Sequence, residues 1–188
     1  MSWDGRPIEI CDVGTTVELS AGVLGEGQLQ WSIKNAVPGE SGELKPSDKP
    51  DGDRTYHHGP VVSGKTYVID QIEVKNTRTG GTRSMHVLAL QKLPMLSVRI
   101  DHVDMQKGEV QLTAILDGEP DVAEWSLPLG GPGSIDSNGL YRANPASTDR
   151  FALIIAEVPY GSSRKFEGHI ILPLPLVEFP QVLEVMSK

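Results

Sequence analysis

The chain has 188 residues, and its 17 Lys and Arg against 25 Asp and Glu give a formal net charge of −8 at pH 7. Because clustered cations bind nucleic acid and anionic lipid, this balance argues against non-specific binding to either, and we predict no nucleic-acid partner. The 20 Gly and 14 Pro indicate many turns, and a hydrophobic content of 38 % is enough for folded domains. The length allows one large domain or two small ones.

The segments near the two ends of the sequence bear on the compartment of the protein. The first residues lack the apolar stretch of a secretory signal, so we expect none. The apolar stretch 170–177 is interrupted by Pro173 and Pro175 and is far too short to span a membrane. Cys11 is the single cysteine and cannot form an internal disulfide, so we expect a small buried residue. A cytosolic chain and an exported chain both remain open.

Period-two alternation of apolar and polar residues predicts short β-strands along the chain. For example, Leu29, Trp31 and Ile33 alternate with polar residues. The stretch 181–186 favours one amphipathic helical turn, with a closing strand as the alternative. The predicted strands are, in chain order, 7–11, 15–20, 28–34, 66–75, 84–91, 95–101, 109–115, 122–127, 150–158 and 166–174.

A series of landmarks occurs twice in the same order. Each half has a strand Trp, then a Gly followed two residues later by an apolar residue, then a Tyr, then a long strand. The offset falls from 91 at the Gly to 85 at the Tyr, which places an insertion in the first half, in the polar stretch 45–53. The paired landmarks are Trp31 and Trp125, Gly42 and Gly133, and Tyr56 and Tyr141.

This duplication predicts an all-β protein of two consecutive sandwich units. We place the boundary at the Pro-bounded junction 92–94, giving units 1–92 and 93–176 and a C-terminal extension, 177–188. In each unit we expect the Trp and the Tyr to fill the space between two sheets.

A dense run of turn residues follows the tryptophan of the second half. It reads Gly-Ser-Ile-Asp-Ser-Asn-Gly-Leu-Tyr over 133–141 and Ala-Asn-Pro over 143–145. Over residues 95–176 this pattern resembles the bacterial immunoglobulin-like domains. The first half keeps Trp31, Gly42, Leu44 and Tyr56 but lacks the Asp and the Ala-x-Pro. The resemblance implies two immunoglobulin-like β-sandwich domains, of a family whose members are non-catalytic spacers or adhesive modules in exported or surface proteins.

One stretch, 59–66, fits the phosphate-loop pattern G-x-x-x-x-G-K-T, with Lys65 and Thr66 where phosphate and magnesium would bind. Such a loop follows a buried strand and opens a helix. Here the next residues, from Tyr67, are rich in β-branched side chains and predict a strand, and Pro60 removes one amide. We therefore predict that this motif binds no nucleotide.

The histidines and acids show no familiar metal-binding spacing. His57 and His58 are adjacent, so their side chains would point to opposite faces of a strand. Asp48, Asp51 and Asp53 could offer oxygen ligands to calcium, but they lack the terminal Glu of a twelve-residue calcium loop. We expect no cofactor, and calcium binding is the alternative. Since no G-x-S-x-G nucleophile motif is present, we also predict that the protein is not an enzyme.

The stretch 45–59 interrupts the repeated pattern and carries Asp, Lys, Arg, Tyr and His side chains. We predict an inserted surface loop that binds a protein partner, and the alternative is an insertion without a function. Strand addition at a sheet edge is a second mode of protein binding. The candidate binding residues are Asp51, Asp53, Arg54, His57 and His58.

A carbohydrate-binding module is the alternative function, with a glycan as its partner. Such a module needs exposed aromatic side chains, and four of the aromatic residues are already assigned to the cores. The remaining candidates are Trp3, Tyr67, Tyr160 and the phenylalanines.

Overall fold

Short strands and turns make up the computed structural model, which describes residues 2–3, 6–22, 27–48 and 53–176. The chain divides into two compact units, Met1–Leu93 and Pro94–Lys188. The described residues contain no helix long and apolar enough to cross a membrane. The extension 177–188, with the turn predicted at 181–186, lies outside the described residues.

The described residues of the first unit form nine strands. The long strands match the predicted stretches because apolar side chains alternate along them, as the burial of every second residue from Val68 to Asn76 shows. The strands are β1 (Ser2–Trp3), β2 (Ile8–Cys11), β3 (Thr16–Leu19), β4 (Ala21–Gly22), β5 (Leu29–Lys34), β6 (Glu43–Pro46), β7 (Arg54–His57), β8 (Tyr67–Asn76) and β9 (Thr82–Leu90).

Seven of these strands form two facing sheets. One sheet has the order β2-β9-β8-β5, in which β2 is parallel to β9 and the other neighbours are antiparallel. The other sheet has the order β3-β7-β6 and is antiparallel throughout. The side chains between the two sheets form one core, contributed by Cys11, Ile72, Met85 and Val87 on one side and by Leu19 and Tyr56 on the other.

Eight strands lie in the part of the second unit that the structure describes, residues 94–176. Strand β10 is interrupted by a bulge between Ile100 and His102. The strands are β10 (Leu96–Asp104), β11 (Glu109–Leu116), β12 (Glu119–Asp121), β13 (Glu124–Ser126), β14 (Ser134–Ile135), β15 (Leu140–Arg142), β16 (Phe151–Tyr160) and β17 (Arg164–Pro173).

The two sheets of the second unit have the orders β10-β11-β15-β14 and β13-β16-β17, and β12 pairs with β11. Two antiparallel sheets connected in this order over one core are an immunoglobulin-like β-sandwich. Each fully buried aliphatic side chain in such a core contributes about 1.5–3 kcal/mol. The core residues are Val110, Leu112 and Tyr141 from one sheet and Ala152, Ile154 and Leu172 from the other. The fold is therefore two consecutive immunoglobulin-like β-sandwich domains.

The residues of the duplicated landmarks lie at matching places in the two units. Trp31 is in β5 opposite Val74, and Trp125 is in β13 opposite Ala156. Both tryptophans are partly buried against the core of their own unit. The tyrosines are fully buried, Tyr56 opposite Leu44 and Tyr141 opposite Ile135.

Candidate functional site

The stretch predicted as an inserted loop, 45–59, is largely a β-hairpin, which corrects the prediction. Lys45 and Pro46 belong to β6, and Arg54–His57 form β7, so the connection between the strands is 47–53. The two strands are only four residues long and rich in polar residues, which hid them in the sequence. Leu44 is opposite Tyr56, and 12 positions separate the two, whereas six separate Ile135 from Tyr141. The insertion is therefore an extension of this hairpin.

Polar contacts attach the hairpin to the neighbouring strand β3. Ser47 Oγ donates to Glu18 Oε2 at 2.9 Å, and Thr55 Oγ1 donates to Glu18 Oε1 at 3.1 Å. Thr55 is only 8 % exposed although it faces away from the core. The Glu18 carboxylate of β3 thus bonds both to Ser47, after β6, and to Thr55 in β7. These bonds order the polar side chains on the outer side of this sheet.

The outer side of the sheet β3-β7-β6 carries groups of both charges. His57 lies opposite Thr16 on one neighbour and Glu43 on the other. The Lys45 ammonium is 3.4 Å from the Glu43 carboxylate, and both side chains are exposed. Among the described residues the His57 imidazole has no hydrogen-bonding partner. This side of the sheet can therefore offer donors, acceptors and charges to a protein surface.

The opposite side of the hairpin is held by a buried carboxylate. The Tyr56 hydroxyl donates to Asp70 Oδ2 at 2.7 Å, and the backbone N–H of Gly42 donates to the same oxygen at 2.7 Å. Asp70 is 3 % exposed and Tyr56 is fully buried. Burial, followed by the hydrogen bond to Asp70, raises the pKa of Tyr56 far above its ordinary value.

Asp70 is not among the residues predicted from the sequence, although the alternation along β8 contains a signal for it. Asp70 lies in the inward series of β8 between Val68 and Ile72, where a polar residue needs a partner. Alternation alone thus predicts a buried carboxylate, while the identity of its two donors follows only from the packing of β8 against β7.

The structure separates the five residues predicted to bind a partner. Asp53 lies at the connection, where its carbonyl accepts from Ser47 N at 2.8 Å, and Arg54 begins β7 opposite Leu19 and Pro46. His57 ends β7, and His58 lies beyond it. Asp51 lies outside the described residues. Since β7 is extended, Asp53 and His58 are at opposite ends of the strand, and their role in binding stays a prediction.

His58 has a structural position at the far end of β7. Its Nδ1 lies 2.7 Å from the carbonyl oxygen of Gly59, and its Nε2 lies 2.7 Å from that of Leu90. Beside it, the buried Gln91 accepts from Val62 N at 2.8 Å and donates to Ala89 O at 3.0 Å. These side chains attach the segment 58–66 to the end of β9.

The phosphate-loop pattern falls within this same segment. The Lys65 ammonium is 2.7 Å from the Glu40 carboxylate, and Thr66 is 2 % exposed. Strand β8 follows directly, as predicted, so no helix N-terminus faces the segment. Because Lys65 is paired with Glu40 and Thr66 is buried, neither side chain is placed to bind a nucleotide phosphate.

The histidines and the acids between β6 and β7 are the residues that could offer ligands to a metal ion. In the part of the chain that the structure describes, no group of three His, Cys, Asp or Glu residues is placed to hold an ion. Asp48 is exposed there, and Asp53 is partly buried. Burial lowers the pKa of His86 in β9 and of His169 in β17, which favours neutral imidazoles in the folded protein.

The aromatic residues considered for glycan binding occupy different surroundings. Tyr67 is half-buried, and the side chain of Trp3 lies outside the described residues. Tyr160 is 59 % exposed, and its ring centroid is 5.2 Å from that of Phe166. Tyr160 ends β16, and Phe166 lies near the start of β17, where it is partly buried against the core.

The sequence matches no protein-family model and no curated protein. Among solved structures, human protocadherin-24 EC1-2 is 12 % identical, with 89 % of this chain and 91 % of that chain covered and a TM-score of 0.32. The I-band fragment of titin, domains I67–I69, is 11 % identical (88 % and 61 % covered, TM-score 0.30). Titin z1z2 in complex with telethonin is 13 % identical (86 % and 89 % covered, TM-score 0.27). The assignment of the fold rests on the strand order and register given above.

Proposed function

We propose that the protein is a non-catalytic structural or protein-interaction module of a bacterial exported or surface assembly. The immunoglobulin-like fold of both units supports a module of this kind. The resemblance of residues 95–176 to bacterial immunoglobulin-like domains supports the cellular context. The extended hairpin β6–β7 is the proposed recognition element.

One observation carries this assignment: the hairpin of the first unit has six more residues than its counterpart, and Ser47, Asp48 and Asp53, the described residues of its connection, lie outside the core. The pairs Leu44–Tyr56 and Ile135–Tyr141 close equivalent positions of the two cores. Among the described residues between Leu44 and Tyr56, Ser47 and Thr55 donate hydrogen bonds to the Glu18 carboxylate. Binding residues are typically placed on loops that a rigid scaffold positions.

The experiment exchanges the hairpin for the shorter one of the same chain. Residues 45–55 are replaced with the sequence of residues 136–140, a turn whose Asp136 carboxylate accepts from Asn138 N at 2.9 Å and Leu140 N at 3.0 Å. Proteins retained from the native cell envelope are compared by quantitative mass spectrometry. We expect the partner captured by the wild type to be lost from the exchanged variant.

A matched control changes another exposed hairpin, β16–β17, by replacing Gly161-Ser162-Ser163 with Asn-Gly. The same partner should be retained by this control. Thermal unfolding shows that each variant is folded. Retention of all partners by the exchanged variant would show that the hairpin is a tolerated insertion.

The exposed ring of Tyr160, which lies beside the partly buried Phe166, favours glycan binding as the second candidate function. Stacking of a sugar ring on Tyr160 would make binding to a glycan array depend on this side chain. A glycan bound by the wild type and lost with Tyr160→Ala supports this alternative, and an array without binding excludes it.

A further inference from the structure

A cavity of about 440 Å³ lies at the end of the second unit where β17 finishes. Its walls are the turn between β10 and β11, the segment that follows β15, and the residues after β17. Gly108 O accepts from Ala143 N at 2.8 Å, and Arg150 O accepts from Leu174 N at 2.8 Å. These bonds hold the three walls together, and the volume is in the range of pockets for small ligands.

The inner part of the cavity is apolar. Leu174 and Leu176 line it, are 8 % and 5 % exposed, and belong to the core of the second unit. Met105 lines the side and is 40 % exposed. An apolar chain placed here would cover Met105 and extend the core toward the opening.

The opening of the cavity carries two cationic side chains. Lys107 and Arg150 line it together with one acid, Asp149. The Asp149 carboxylate already accepts from the Ser147 hydroxyl at 2.9 Å, and Lys107 is 3.8 Å from Asp104. Among the described residues, the Arg150 guanidinium has neither an ion pair nor a hydrogen bond.

We propose that this cavity binds an organic carboxylate with a short apolar chain. The guanidinium of Arg150 matches a carboxylate with two parallel N–H donors, and the Lys107 ammonium adds a second positive charge. The apolar chain lies over Leu174 and Leu176. A fatty acid and the apolar C-terminal end of a peptide share this chemistry.

The test uses octanoate and N-acetyl-leucyl-leucine as probes, each beside its neutral amide, with binding followed by amide chemical shifts of the full chain. We expect saturable shifts in residues 143–150 and a dissociation constant on the order of 1 mM. Arg150→Gln and the neutral amides should each weaken binding by about fivefold, the upper end for an exposed ion pair. The carboxylate that binds more tightly identifies the source.

Arg164 begins β17, whereas Arg150 lies beside the residues that follow the end of β17. Arg164→Gln therefore removes the same charge at the opposite end of this strand and is the matched control. This variant should bind both probes as the wild type does. Absence of saturable shifts at concentrations on the order of 10 mM would overturn the proposal. Equal binding by Arg150→Gln, or by the amides, would also overturn it, since both results exclude recognition of the carboxylate.

Discussion

The strand that begins the sandwich, β2 in the first unit and β10 in the second, joins a different sheet in each unit. In the first unit β2 is parallel to β9, with Ile10 opposite Leu88. In the second unit β10 is antiparallel to β11, and β17 is left at the edge of its sheet. When the strand pairings are followed from the tryptophan of each unit, Pro173 of β17 occupies the position that Leu88 occupies in β9. Proline has no N–H to donate and occurs in edge strands, which agrees with the absence of a further strand beside β17 among the described residues.

The buried tyrosines of the two units differ in the partner of their hydroxyl. The Tyr56 hydroxyl donates to the Asp70 carboxylate, and the Tyr141 hydroxyl donates to the carbonyl of Pro132. By the same registers Ala152 takes the place of Asp70, and an alanine side chain offers no acceptor. One sandwich position is therefore satisfied by a charge in one unit and by the backbone in the other, which predicts different energetic costs of losing it.

The largest expected effect comes from removing the buried carboxylate. Asp70→Ala leaves the Tyr56 hydroxyl and the Gly42 N–H buried without an acceptor, so the first unit should lose about 4 kcal/mol of stability. Hydrogen exchange followed by mass spectrometry measures each unit separately and should show the second unit unchanged. Asp70→Asn keeps an acceptor oxygen and is expected to lose less. A loss no greater than that of Asp70→Asn would contradict this account.

Alkaline pH should weaken both units through their tyrosines. Burial, and then the nearby Asp149, raises the pKa of Tyr141 from 10.0 to about 12. Because the folded-state pKa is higher, this stabilisation is present below pH 10 and is lost as the pH rises to about 12. The linked loss is at most about 3 kcal/mol. Thermal unfolding against pH measures it, and Tyr141→Phe should flatten the dependence in the second unit.

Removal of the two hydroxyls compares the units directly. Tyr56→Phe leaves a buried carboxylate short of one donor and should cost about 2 kcal/mol, because hydrogen bonds to charged groups are the stronger ones. Tyr141→Phe removes a bond to a neutral carbonyl and should cost about 1 kcal/mol. Urea unfolding of the two variants tests the order, and equal losses would show that the charge of Asp70 adds nothing.

The smallest effect is expected at mildly acidic pH. Burial lowers the pKa of His86 in the first unit and of His169 in the second from 6.5. Their contribution to stability is present above pH 6.5 and is lost as the pH falls, because protonation is easier in the unfolded chain. Thermal unfolding between neutral and acidic pH should show a gradual decrease, and His169→Gln should reduce it in the second unit alone. An unchanged dependence in this variant would exclude His169 as its source.

Much of the fold could be predicted because apolar alternation is local information. The long strands β8, β9, β16 and β17 were predicted within a few residues of their bounds, since each alternates over many positions. The short strands β6 and β7 were not, because four polar-rich residues carry too little pattern to distinguish a strand from a loop. The sequence therefore predicts a loop that includes His58. In the structure this stretch is largely a hairpin, and His58 attaches the segment 58–66 to the end of β9.

The amino-acid sequence alone determined that the protein is all-β, that its turns bracket strands, and that the landmark residues occur twice in order. Periodicity and turn chemistry depend on neighbouring residues, so they are readable along the chain. Only the tertiary structure decided the sheet joined by each first strand, the separation of Asp53 from His58, and the acceptors of the buried tyrosine hydroxyls. Those outcomes depend on groups distant in sequence that meet when the two sheets of each sandwich close.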